Sequence, residues 1–411
     1  MESAYMGLIC TFHGAFNVKI MDITLTNFMR EQLRLTTSEF KRYMYDKLPW
    51  EARLVGLMGP RGVGKSTMVL QHIKDQDEDT LSRSIYVSAD HSYFLMHTLA
   101  ETANQFVREG GVWMYIDEVH KYDNWSIELK QIYDSHPELH VFFTGSSILD
   151  IMEGQADQSR RVLLFEMQGL SFREYLELFH GIKSPVRTLD DILKGNVQIE
   201  GLIHPLPLFS LYLREGYYPF SKEGYFQQRL QQVVRLTMEI DIPQFANMTP
   251  ATGKKLHRML GIIASNVPYK PEATSLANEL KVSRNDIPTF LLYMEKAGMI
   301  GQLRDQTGGM RGLGKTEKVY LDNTNLIYVM TADANIGNVR ETFFYNQTRL
   351  TQPVTSSKVS DFEIGHYTFE VGGKKKGTKQ VKNVENAFVV RDDTEYASGN
   401  FIPLWSFGLM Y

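Results

Sequence analysis

The chain has 411 residues, 43% of them apolar, enough to fill several packed cores and too many for a disordered polymer. Its 44 basic and 48 acidic residues leave a formal charge of -4, which excludes a protein wrapped wholesale on nucleic acid and confines any such contact to a local patch. Cys10 is the single cysteine, so an intrachain disulfide and a cysteine-ligated zinc site are excluded, and no run reaches the ~20 apolar residues of a membrane helix.

These features together point to a cytoplasmic protein with no membrane partner. The first twenty residues lack a charged region leading into an apolar signal core, and Met21 opens a clearer helical pattern. Met21 is therefore the expected true start. Apolar residues from Leu25 through Leu48 recur at three- and four-residue steps (Leu25, Phe28, Met29 and Leu33, then Phe40, Tyr43 and Met44), which predicts two amphipathic helices in an N-terminal segment 1–50.

A strand-helix alternation follows over 51–170. Leu54 to Met58 reads as a strand, a Gly-rich turn leads to a helix through His72, and strands are expected at Ile85–Ser88, Val112–Ile116, Val141–Thr144 and Val162–Phe165. Residues 171–250 read as an all-α lid or connector. Over 251–322, helices around Leu256–Ala264 and in TSLANELKVSRNDIPTFLLYMEKAGMI, then a Gly-rich hairpin, resemble a winged helix-turn-helix. The closing segment 323–411 mixes β-like runs at Tyr367–Val371 and Ala387–Val390 with helix and turns.

GPRGVGKS, Gly59 to Ser66, fits the phosphate-loop pattern and stands where that loop belongs, after an apolar strand and opening a helix. The backbone amides of Gly59, Pro60 (which itself lacks a donor), Arg61, Gly62, Val63, Gly64, Lys65, Ser66 and Thr67 form the expected nucleotide-binding stretch, with the helix N-terminus adding partial positive charge. Lys65 is expected to reach the β and γ phosphates of ATP and the Ser66 hydroxyl to ligate Mg2+. VWMYIDEVH supplies Asp117 to hold magnesium through water and Glu118 to polarise the attacking water. FFTGSS offers Thr144 as a γ-phosphate sensor, with Ser146 beside it, and Arg160 and Arg161 precede the fifth strand, where one could reach a neighbouring subunit's γ-phosphate. Tyr115 and His120 read as packing or surface residues.

With GPRGVGKS, IDEVHKYDNWSIELKQIYD, FFTGSS, the arginine pair followed by LSFREYLELF, REGYYP, EIDIP, DFEIGHYTFEVGGKKKGTKQ and IPLWSFGLMY in view, the chain resembles the prokaryotic AAA+-type P-loop ATPases that carry a C-terminal restriction-endonuclease-like domain of unknown function. The resemblance implies an α/β fold: a parallel-sheet P-loop NTPase core, a helical lid, a winged helix and an α+β nuclease-like tail. In such tails Asp and Glu-x-Lys share adjoining strands; Asp361 and Glu370 fit, while Gly372 and Gly373 push Lys374 off the lysine position, so the tail reads as an inactive fold used for recognition.

Lys374, Lys375, Lys376, Lys379 and Lys382 form a basic patch, and with the helix carrying Asn285 and Thr289 they make DNA a candidate partner, although Asp286 opposes it. The leading expectation is a Mg2+-dependent ATPase whose nucleotide state rearranges its recognition domains, with further copies of itself as a candidate partner. A slow nucleotide switch and an ATP-governed metal nuclease are the alternatives.

Overall fold

The computed structural model describes residues 22–145, 161–306, 314–374, 377 and 383–411. Among these, two units separate: the first runs to Gln168 apart from Arg61–Val63, and that short segment groups with the second, Gly169–Tyr411.

The first unit opens with α1 (Ile23–Leu35), whose Leu25, Met29 and Leu33 share a buried face and whose first turn is capped by Asp22, its Oδ1 accepting from Thr24 N at 2.7 Å. The second helix expected before Leu48 does not form; only a short 3-10 turn, Tyr45–Lys47, lies there. The cause is tertiary. Gln71 Nε2 donates to the carbonyls of Thr37 and Phe40 at 2.8 Å each, and Lys74 Nζ donates to that of Thr36 at 2.8 Å, so the carbonyls a helix would use are taken by another helix.

Then come β1 (Leu54–Met58), α2 (Lys65–Lys74), α3 (Glu78–Ser82), β2 (Ser84–Ser88), α4 (Leu99–Arg108), β3 (Trp113–Asp117), α5 (Trp125–Ser135), β4 (His140–Gly145) and β5 (Leu163–Glu166). All five strands pair in parallel in the order β2-β3-β4-β1-β5. Buried on both faces, β1 reads as the continuous apolar run LVGLM, and its Gly56 admits Phe143 and Leu164, either of which would lie 2.6 Å from an added Cβ. Because β4 lies between β1 and β3, with Leu57 opposite Thr144 and Ile116 opposite Phe143, the loops leaving these three strands emerge together at the carboxyl edge.

The second unit is helical at first: α6 (Phe172–His180), α7 (Leu189–Leu193), α8 (Leu206–Glu215), α9 (Phe226–Leu236), a π-helical turn Thr237–Asp241 and α10 (Ile242–Phe245). The segment expected as a winged helix holds α11 (Pro250–Ser265), α12 (Ala273–Leu280) and α13 (Asp286–Lys296), then antiparallel β6 (Ile300–Arg304) and β7 (Thr316–Leu321). After α14 (Thr324–Met330) and α15 (Ile336–Thr348), β8 (Val354–Ser356), β9 (Phe362–Ile364) and β10 (Tyr367–Gly372) form an antiparallel meander; β11 (Ala387–Arg391) and β12 (Phe401–Pro403) extend it in parallel.

Several motifs quoted from the sequence are structural here. Tyr217 and Tyr218 of REGYYP are buried, with Tyr217 N donating to Asn325 Oδ1 at 2.9 Å and Asn323 Nδ2 donating to Tyr218 Oη at 3.1 Å. Ser171 caps α6 in a reciprocal box with Glu174, and its Oγ also donates to the Tyr411 carbonyl at 2.7 Å, which ties IPLWSFGLMY to LSFREYLELF.

Candidate functional site

The loop after β1 depends on backbone angles that side chains resist. Gly59, Gly62 and Gly64 have φ of 155°, 82° and 96°, and a Cβ on Gly59 would stand 2.1 Å from the Met167 carbonyl oxygen. Gly64 caps α2 in the left-handed conformation, and the helix begins at Lys65. The Lys65 side chain is buried, its Nζ donating to the carbonyls of Gly59 and Pro60 at 2.9 Å each, so the ammonium is folded into the curl of its own loop. Ser66 is half-buried in the first turn and Thr67 is exposed. Within the second unit, Arg61 Nη2 donates to Asp241 Oδ1 and Oδ2 at 3.1 and 3.0 Å, and Gly62 sits against the Phe220 ring.

Asp117 ends β3, and its carboxylate is only 6% exposed. Thr144, at 1% exposure on neighbouring β4, donates from Oγ1 to Asp117 Oδ1 and accepts from the Glu118 amide at 3.2 Å. From the other flank, Tyr86 on β2 donates its hydroxyl to Asp117 Oδ2 at 2.8 Å. Burial first, then the Asp117 charge, push the Tyr86 hydroxyl far above its ordinary range, so it stays protonated and a donor. Nothing in the sequence alone marks Tyr86, because its reach depends on the register of β2 against β3, Tyr86 facing Tyr115 and Ser88 facing Asp117.

Glu118 has φ 53°, a left-handed conformation uncommon outside glycine, and it turns the chain directly after the strand. Its Oε2 lies 3.4 Å from Nε2 of His120, whose side chain is nearly buried. Tyr115 is a buried packing residue, its hydroxyl accepting from Gln76 Nε2 at 2.8 Å. The residues present suit a polyphosphate with a divalent cation: a buried ammonium in a curl of glycines, a helix N-terminus, a half-buried hydroxyl in its first turn, and a carboxylate steadied on both oxygens.

Of the remaining expectations, Ser146 and Arg160 lie outside the described residues, as do Lys375, Lys376, Lys379 and Lys382. Arg161 forms a two-pronged ion pair with Asp134 of α5, Nε to Oδ1 at 2.9 Å and Nη2 to Oδ2 at 3.1 Å. In the second unit, the register Phe362 to Phe369 carries Asp361 opposite Glu370. Asp361 Oδ2 accepts from the Val371 amide at 2.9 Å, and Glu370 accepts from the Ser360 hydroxyl. Lys374 is exposed on the turn after β10, whereas Lys318 of β7 places its Nζ 3.8 Å from Asp361 Oδ1 and 3.9 Å from Glu341 Oε2. Among the described residues no group of three or more histidine, cysteine or acidic side chains is arranged to hold a metal ion, and no helix is long and apolar enough to cross a membrane.

Residues 51–176 match a family described as AAA domain, and 207–335 match a domain of unknown function, DUF8612. No curated protein matches the chain. Among solved structures it is similar to the S. cerevisiae Hsp104-ADP complex (16% identity over 67% of this chain and 39% of that one, TM-score 0.28). It is similar also to C. elegans PCH-2 (16%, covering 70% and 71%, TM-score 0.26) and to AMPPCP-bound DnaA from Aquifex aeolicus (14%, covering 67% and 88%, TM-score 0.25). The chain thus spans well under half the length of the Hsp104 chain. The parallel sheet and the phosphate loop make the first unit an α/β P-loop domain, and it contains most of the stretch that matches the AAA-domain family.

Proposed function

We propose that the chain binds ATP with magnesium at the loop Gly59–Thr67 and hydrolyses it. The observation that carries this reading is the pairing of a buried Lys65 ammonium inside the loop with an Asp117 carboxylate held at the same sheet edge. In this reading the loop amides and Lys65 take the β and γ phosphates, Ser66 is a direct cation ligand, and Asp117 reaches the cation through water. Magnesium, when bound, neutralises charge on the phosphate oxygens. Glu118, turned by its left-handed backbone, polarises the attacking water; Thr144 links that residue's amide to Asp117, so the two acids move as one piece. Arg161, with Arg160, is assigned to the γ-phosphate of a neighbouring copy, which requires release from Asp134.

We read the tail as a recognition element rather than a nuclease. The exposed position of Lys374, and the engagement of Asp361 with the Val371 amide and Lys318, support that reading. DNA is the partner proposed for it and for α13. ATP turnover is then expected to reposition these elements.

Isothermal calorimetry on the full chain with ATP and magnesium tests the central claim. Micromolar or tighter binding that weakens at least tenfold in EDTA is the expected result; no heat from well-folded protein with ATP or GTP would remove the ATPase reading.

A further inference from the structure

We infer that Tyr86 is a positioning residue for the cation-side carboxylate, its hydroxyl setting the plane of Asp117 from β2 as Thr144 does from β4, a role that rests on the ATPase reading above. A buried hydroxyl needs an acceptor, and a carboxylate taken out of water needs donors. Tyr86 is 3% exposed and its hydroxyl lies 2.8 Å from Asp117 Oδ2. Thr144 donates to Oδ1. In the sheet order, β2 and β4 flank β3, so the two donors approach the carboxylate from opposite neighbours.

Two donors on two different oxygens define the orientation of the group and oppose its rotation. Each carboxylate oxygen accepts at two lone-pair positions, so among the described residues one position on each is left for a cation's water shell. Such an arrangement suits an outer-sphere ligand, whose usefulness depends on angle more than on contact.

The Tyr86 ring is itself braced. Phe28 of α1 stacks on it with centroids 6.0 Å apart and planes 14° from parallel, and the same Phe28 touches His91 at 5.1 Å. The N-terminal helix therefore backs the tyrosine that orients the acid. Phenylalanine would fill the same core volume without the hydroxyl, so the pair of side chains separates packing from positioning.

The test is a magnesium titration of a fluorescent ATP analogue bound to the full chain, with apo thermal unfolding recorded alongside. Tyr86→Phe is expected to bind the analogue in EDTA as the wild type does, while its magnesium midpoint rises about tenfold, equivalent to ~1.4 kcal/mol. Phe28→Ala, which keeps the hydroxyl and loosens the ring, is expected to raise the midpoint about threefold; it decides the matter if Tyr86→Phe does not fold. Midpoints within twofold of wild type in the folded variants would overturn the positioning role and leave the ATPase reading intact. A wild type that binds no analogue at all would overturn both.

Discussion

Thr144 donates from Oγ1 to Oδ1 of Asp117, and the same oxygen accepts the amide of Glu118, so one hydroxyl on β4 ties together both acids that follow β3. Thr144→Val keeps the shape and removes both bonds. It is expected to lower steady-state phosphate release by about 10- to 100-fold while the ATP Kd stays within about threefold, because the loss falls on the alignment of the reacting water. Thr144→Ser should recover most of the rate. An unchanged rate in Thr144→Val would remove the residue from the site.

Lys65 and Glu118 are predicted to fail differently. Lys65→Ala deletes the charge within the loop and should abolish micromolar ATP binding and turnover together. Glu118→Gln keeps the shape and should bind ATP near the wild-type affinity while releasing phosphate at least 100-fold more slowly. Equal turnover in wild type and Glu118→Gln would show that another group handles the water.

His72, on the helix that starts at Lys65, stacks on Trp50 at 3.8 Å, and Gln76 Nε2 lies 3.0 Å from its ring Nε2, an arrangement suited to neutral imidazole. Burial, only partly offset by Asp75, lowers its pKa from 6.5 to about 4. The unfolded chain thus takes up this proton at higher pH than the folded one. Stability from this residue is complete above about pH 6.5, declines as the pH falls toward 4, and levels off below that, for a loss of up to ~3 kcal/mol reduced by partial solvent access. In urea melts the difference between wild type and His72→Phe should stay constant above about pH 6.5, and wild type alone should lose stability as the pH falls from there toward 4; parallel pH profiles would refute the assignment.

The Arg161 ion pair with Asp134 is largely exposed and should contribute under ~1 kcal/mol to stability. Arg161→Ala is therefore expected to leave the melting temperature nearly unchanged. If Arg161 completes a neighbour's site, turnover per chain should rise with protein concentration in wild type and fall at least tenfold in the variant, with ATP affinity kept. A rate independent of concentration in both would exclude the shared site.

Asp322, 2% exposed, pairs with Arg349 and also accepts from the Tyr217 hydroxyl at 3.2 Å. Replacing Arg349 by Met strands a buried carboxylate and should destabilise the second unit by about 3–5 kcal/mol, read from denaturant unfolding. The double variant Arg349→Met, Asp322→Asn should recover part of that loss, because no uncompensated charge remains. If the single variant loses less than ~1 kcal/mol, the pair is not what secures this core.

Local chemistry alone determined the phosphate loop, the strand that ends in Asp117 and Glu118, and the alternation of strand and helix around them, since glycine angles, strand period and charge are written within a few neighbouring residues. Only the tertiary structure decided that β4 separates β1 from β3, that Tyr86 reaches Asp117, and that Thr36 to Leu48 forgoes a helix because Gln71 and Lys74 claim its carbonyls. It likewise placed Lys318, and not Lys374, beside Asp361. The reason is the same each time: hydrogen bonds and ion pairs between residues far apart in the chain depend on strand order and register, which no local pattern encodes.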